Sequence, residues 1–227
     1  MIHLLDAANL SFSQLEPFLA SSELSYVVGH VRCTADGVLV MSEESYCHSH
    51  SIDLSSGFVL SDLPRLDDLL TSLAYRDPSV GIHLIICTDG DEWDKYQTYI
   101  LLSLCRLLKR YHTHQLNAPP PVLGCERLDV LEEFARLMRY FDLPYCLVLH
   151  LHETSDWEYL LTESKVPFLH YLWPFPSVEV TPETLAQHQE LGYQVMMARD
   201  EEMDTCLSPN DWLVRYTIGP EKEDEMN

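Results

Sequence analysis

The chain is short of positive charge, of glycine and of long apolar runs, and each shortage excludes something. Only 14 Lys+Arg stand against 36 Asp+Glu, a formal charge of −22. A field of that sign repels phosphate backbones and anionic headgroups, which excludes nucleic acid and lipid surfaces as general partners. The densest basic run, Lys109-Arg110 with His112 and His114, is short and reads as a helix end where cations are favoured. The 8 glycines form neither G-x-G-x-x-G nor a P-loop, and no G-x-S-x-G marks a serine nucleophile. No apolar run approaches the roughly 20 residues needed to span a bilayer, and no basic stretch followed by an apolar one opens the chain. A soluble protein of the cell interior, cytoplasmic or otherwise intracellular and without membrane insertion, is expected.

The cysteines point the same way. Seven is an odd number, none is in CxxC spacing, and Cys87, Cys105 and Cys146 sit inside apolar runs where thiols behave as small hydrophobes. A reducing compartment follows.

A length of 227 residues with 46% hydrophobic side chains suffices for one substantial core. Residues 1–219 read as a single domain, and 220–227, with Glu221-Lys-Glu-Asp-Glu225, as an acidic disordered tail. Strands are expected at Ile2–Leu5, Tyr26–Arg32, Val38–Met41, Ile82–Cys87, Val122–Leu123, Tyr145–His152, Pro167–Trp173, Tyr193–Ala198 and Trp212–Ile218. Ile82–Cys87 is nearly all apolar, as a parallel strand covered on both faces should be.

Helical spacing of apolar residues predicts helices over Ser11–Ser22, from Pro64 through Leu73, from Trp93 to Tyr111, over Leu128–Tyr140 and at Asp200–Cys206. Ser155-Asp-Trp-Glu158 has capping-box spacing. Thr181-Pro182 reads as an N-cap with proline at the first helical position, and Gly192 as the matching C-terminal glycine. Strand and helix alternating throughout specify a parallel sheet with helices outside it, and about eight strands in this length favour a (β/α)8 TIM-type barrel, whole or lacking a unit.

Particular residues then resemble a family. Asp6-Ala-Ala-Asn9, Gln14-Leu-Glu16, Leu19-Ala-Ser21, Val27 to Val31 and Gly37-Val-Leu-Val-Met41 look like the opening of menorin-family proteins. Those are similar in turn to glycerophosphodiester phosphodiesterases, echoed by Val28-Gly-His-Val-Arg32, Val38 to Glu44, Pro64 to Leu70, Val180 to Leu185 and Gly192 to Val195. The resemblance implies a phosphodiesterase-like barrel. It also implies two histidines for acid and base work, and carboxylates holding a divalent ion against the phosphate.

This chain departs from that pattern at each position. Asp6 stands at the first histidine position, Val28 and His30 at the two carboxylate positions, and Glu43 at the second histidine position; Ile85 and Cys87 replace a carboxylate and a lysine. Valine and isoleucine cannot ligate Mg²⁺ or Ca²⁺, which take oxygen donors. An Asp6–His30 pair could still face each other, and Asp6, His30, Glu43 and Glu44 are the catalytic candidates if a rearranged site works.

Other constellations lie outside the resemblance. His150 and His152 share one face at a strand end with Glu153 beside them, Glu126 ends its own strand, and Asp89-Gly-Asp-Glu92 forms an acidic loop after Ile82–Cys87. Chemistry in such barrels sits at the C-terminal ends of the strands, so His150, His152, Glu126 and Asp89 are binding candidates. The pair His48/His50 beside Cys47 has no third ligand at a recognised spacing. Trp157, Trp173 and Trp212 either pack the core or line a pocket.

Three functions fit: a catalytically degenerate barrel that binds a basic protein surface or a small ligand, a metal-dependent phosphodiester hydrolase with a rearranged site, and an acidic structural or inhibitory subunit. Mg²⁺ or Ca²⁺ is expected as cofactor only in the second.

Overall fold

The computed structural model describes residues 2–6, 25–34, 36–42, 63–74, 80–88, 91–114, 118–162, 166–175, 177–198 and 212–218, with backbone alone for 2–6, 91–92, 94–95, 162, 198 and 212–218. Nine strands and five helices are placed among them. They run β1 (Ile2–Asp6), β2 (Tyr26–Cys33), β3 (Leu39–Met41), α1 (Leu66–Ala74), β4 (Gly81–Ile86), α2 (Asp91–His114), β5 (Val122–Cys125) and α3 (Leu128–Tyr140). After these come β6 (Cys146–Leu151), α4 (Thr154–Thr162), β7 (Tyr171–Pro174), α5 (Pro182–Glu190), β8 (Gln194–Ala198) and β9 (Trp212–Ile218).

Eight strands pair in parallel in the ring β1-β2-β4-β5-β6-β7-β8-β9, and β1 returns to β9. The α/β barrel expected from the alternation is therefore present. The remaining strand, β3, runs antiparallel on β2, Val31 opposite Met41. It is a hairpin partner outside the ring, not one of its members.

Strand alternation sorts the core into two layers. Val27, Ile82, Leu84, Ile86, Leu123, Leu147, Leu149, Leu172 and Val195 face outward and join the helix residues Leu101, Leu104, Phe134 and Met138 in the larger cluster. Their neighbours Tyr26, Val28, Val122, Val148, Tyr171, Trp173 and Met196 form a second, smaller cluster inside the barrel. Among the strands whose side chains are described, β2 and β4 to β8 thus carry apolar residues on both faces, which is why they read as hydrophobic runs.

Several boundaries differ from expectation. The helix expected over 93–111 runs Asp91–His114. The strand expected from Pro167 begins only at Tyr171, after a turn at Pro167-Phe168. The helix expected to open with a Ser155 capping box starts at Thr154, and Ser155 Oγ instead donates to Glu153 at 3.2 Å. Thr154 Oγ1 meanwhile accepts from Glu179 N at 2.9 Å, so a neighbouring loop takes the hydroxyl.

The next helix agrees with its signals. Thr181 accepts from Thr184 N and Thr184 returns the bond, a reciprocal cap ahead of Pro182. Gly192 follows the C-cap at φ 85°, a left-handed conformation open to glycine without strain. The helices expected over 11–22 and 200–206 and the pair His48/His50 lie outside the described residues.

Candidate functional site at the barrel mouth

In a parallel barrel the strands all end on one side, and residues two apart near those ends line the mouth and the space beneath it. Four strands supply pairs of this kind: His83 and Ile85 on β4, Gly124 and Glu126 at β5, His150 and His152 at β6, Trp173 and Phe175 at β7. Glu126 and His152 are exposed, His150 and His83 buried.

At the surface the carboxylate of Glu126 is held from two sides. Thr88 Oγ1 donates to Oε1 at 3.1 Å, and His152 Nε2 lies 3.7 Å from Oε2. The imidazole of His152 stacks on Phe175 with centroids 4.2 Å apart and an interplanar angle of 23°. Ser177 Oγ donates to the His152 carbonyl at 2.8 Å and fastens the loop after β7 to the end of β6.

Below this layer are two neutral imidazoles. His83 is fully buried and neither ring nitrogen has a hydrogen-bond partner. Burial, with a smaller push from His30, lowers its pKa to about 3. His150 is 3% exposed, its Nε2 also lacks a partner, and burial followed by His83, His152 and His30 holds its pKa well below the usual range. Trp173 lies against both rings, with centroids 5.3 Å from each. The His150 ring crosses the backbone of β5 at Gly124, where a Cβ would stand 2.2 Å from Nε2. Only glycine leaves room for it.

The four helices that follow β4 to β7 begin on this side, and three carry a carboxylate in the first turn: Asp129 in α3, paired with Arg127, Asp156 in α4 and Glu183 in α5. A bare helix N-terminus attracts anions, but a carboxylate in the first turn already answers that partial charge.

The structure thus brings Glu126 and His152 together and places His150 beneath them, inside the barrel and away from the surface. His30 lies within β2, three residues before its end, and is half-buried. Asp6 is registered with Val28, two residues short of His30, so its backbone is not level with that histidine. Glu43, Glu44 and Asp89 lie outside the described residues. Sequence reasoning passed over His83, although its being the one polar residue in an otherwise apolar strand was a signal.

The divalent ion implied by the resemblance can be tested against the donors present. Val28 is sealed in the interior at 0% exposure, Ile85 packs beside the same cluster, and the polar groups beneath the mouth are imidazoles. Among the described residues no group of three or more His, Cys, Asp or Glu side chains is placed to hold a metal. The described set does not fit a hard cation, which takes carboxylate or carbonyl oxygens.

No helix among the described residues is long and apolar enough to cross a membrane. No family model and no curated protein matches the chain. Solved structures do. A protein of Galdieria sulphuraria described as a glycerophosphodiester phosphodiesterase superposes with a TM-score of 0.64 at 14% identity, covering 95% of this chain and 93% of that one. Its counterpart from Silicibacter pomeroyi DSS-3 gives 0.64 at 17% identity, over 95% and 90% of the two chains. The Agrobacterium tumefaciens glycerophosphodiester phosphodiesterase gives 0.57 at 15%, over 95% and 96%. At these identities the likeness is one of fold, and the chain is an α/β barrel similar in fold to the glycerophosphodiester phosphodiesterases.

Proposed function

We propose that the chain is a menorin-like, catalytically degenerate phosphodiesterase-type barrel that works by binding, and that its acidic mouth takes a basic segment of a partner protein. The observation that carries this reading is the content of the interior beneath the mouth. Val28 and Ile85 fill positions where the resemblance calls for carboxylates, and His83 and His150 are held neutral by burial. Phosphoryl chemistry needs positive charge or a metal on the phosphate, and neutral imidazoles in an apolar lining supply neither. Carboxylates in the first turns of α3, α4 and α5, with Glu126 at the mouth, favour a cationic partner by complementarity.

The experiment has two arms. Glycerophosphodiesters and a chromogenic phosphodiester are offered to the purified chain with Mg²⁺, Ca²⁺ or Mn²⁺, and no turnover is expected. An oligolysine peptide should bind, lose affinity as salt is raised, and bind about fivefold more weakly to Glu126→Gln. Metal-dependent turnover lost on His30→Ala overturns the proposal. The Glu126–His152 pair favours one other reading, a phosphodiester hydrolase with a rearranged site, whose mark is turnover that falls on His152→Ala.

A further inference from the structure

The carboxylate at the mouth is not open on every side. One oxygen of Glu126 is engaged by Thr88, and the imidazole of His152 stands over the other, with Nε2 3.7 Å from Oε2. The side chains of His152 and Glu126 are 47% and 53% exposed, so solvent can protonate this imidazole, unlike the buried His150 beneath it. The ring is also held in place, stacked on Phe175 with centroids 4.2 Å apart, while Ser177 fastens its carbonyl. A ring positioned in advance loses little rotamer freedom on meeting the carboxylate, a cost that a loose surface side chain would bear in full.

Among the described residues, the groups around this ring leave Glu126 as its counter-ion. From β7 and the loop after it come Phe175 and Ser177, and from the segment after β4 comes Thr88, none of them charged. His150 lies below on the same strand and is kept neutral by burial. Arg127, next to Glu126, is paired with Asp129 at 2.8 Å, and the carboxylate of Glu153, next to His152, accepts from Ser155 Oγ at 3.2 Å.

On the reading of the mouth as a site for a basic segment, on which this inference rests, we propose that His152 is a built-in competitor for Glu126. Neutral, it leaves the carboxylate to a lysine or arginine of the partner; protonated, it pairs with that carboxylate itself and weakens the partner's hold. Histidines ordinarily change charge between about pH 5 and 8, while lysines and glutamates do not, so mild acidification acts on the pair through its imidazole. Exposed ion pairs are weak, and the loss is bounded by what neutralising Glu126 outright would cause, about fivefold.

The test is fluorescence anisotropy of a labelled oligolysine peptide on the full chain at about pH 8 and about pH 5.5, with circular dichroism to follow the fold at both. The wild type should bind about fivefold more weakly at the lower pH. His152→Gln should match the wild type at the higher pH and keep that affinity at the lower one, and Glu126→Gln should be weak at both. His152→Lys, a fixed cation at the same position, should bind about fivefold more weakly already at the higher pH, an arm that needs no acidification. Binding at about pH 8 that acid weakens equally in the wild type and His152→Gln overturns this inference alone, as does wild-type affinity in His152→Lys. Absence of binding at both pH values overturns the reading of the mouth and this inference with it.

Discussion

Acidification should unfold this protein through its barrel interior, and His83 sets the scale. Its imidazole is fully buried with no hydrogen-bond partner, and its pKa falls to about 3 against 6.5 for the ordinary group. The unfolded chain therefore binds a proton between those values and the folded chain does not, so stability rises with pH across that window. It is complete above pH 6.5, declines as pH falls, and levels off below about 3. Each unit corresponds to about 1.4 kcal/mol, so passing from pH 7 to pH 5 should remove roughly 2 kcal/mol through His83 alone. His150 adds to this in the same direction. Urea denaturation at pH 7 and pH 5 measures the loss, and His83→Leu should reduce it by His83's share while remaining folded. An equal midpoint at the two pH values, or a His83→Leu variant with the wild-type pH dependence, refutes the reasoning.

Two further outcomes test the architecture directly. Gly124→Ala places a methyl 2.2 Å from His150 Nε2 and should cost about 1–3 kcal/mol in a thermal or urea melt, with most of it recovered in Gly124→Ala/His150→Ala. Thr181→Ala removes the hydroxyl that accepts from Thr184 N at the start of α5 and should cost about 1 kcal/mol, read as a lower urea midpoint with unchanged slope.

The order of strands and helices was legible in the residues, because its causes are local. Leu128–Tyr140 has helical spacing of Val130, Leu131, Phe134 and Met138, and Thr181, Pro182 and Gly192 mark the ends of α5 through their own backbone preferences. The Ser155 capping box failed for the complementary reason. A hydroxyl at the right spacing is only an offer: Ser155 Oγ donates to the Glu153 carboxylate, and the helix begins one residue earlier, at Thr154. Val28, Ile85 and Cys87 were visible departures from the family pattern in the sequence alone, since ligand chemistry depends on residue type.

Position on the barrel was not legible. Pairing of β1 with both β2 and β9 joins segments about two hundred residues apart in one case, and no local preference encodes a contact at that separation. The inner and outer faces were hidden too, because strands apolar on both sides lose the period-two signal that would have set His83 and His150 inside. The Glu126–His152 pair exists because β5 and β6 lie side by side in register, Cys125 against Leu149. Residue chemistry and short-range spacing therefore specified the elements and their order. Only the closed ring of strands decided which side chains share the mouth and which are buried without partners beneath it.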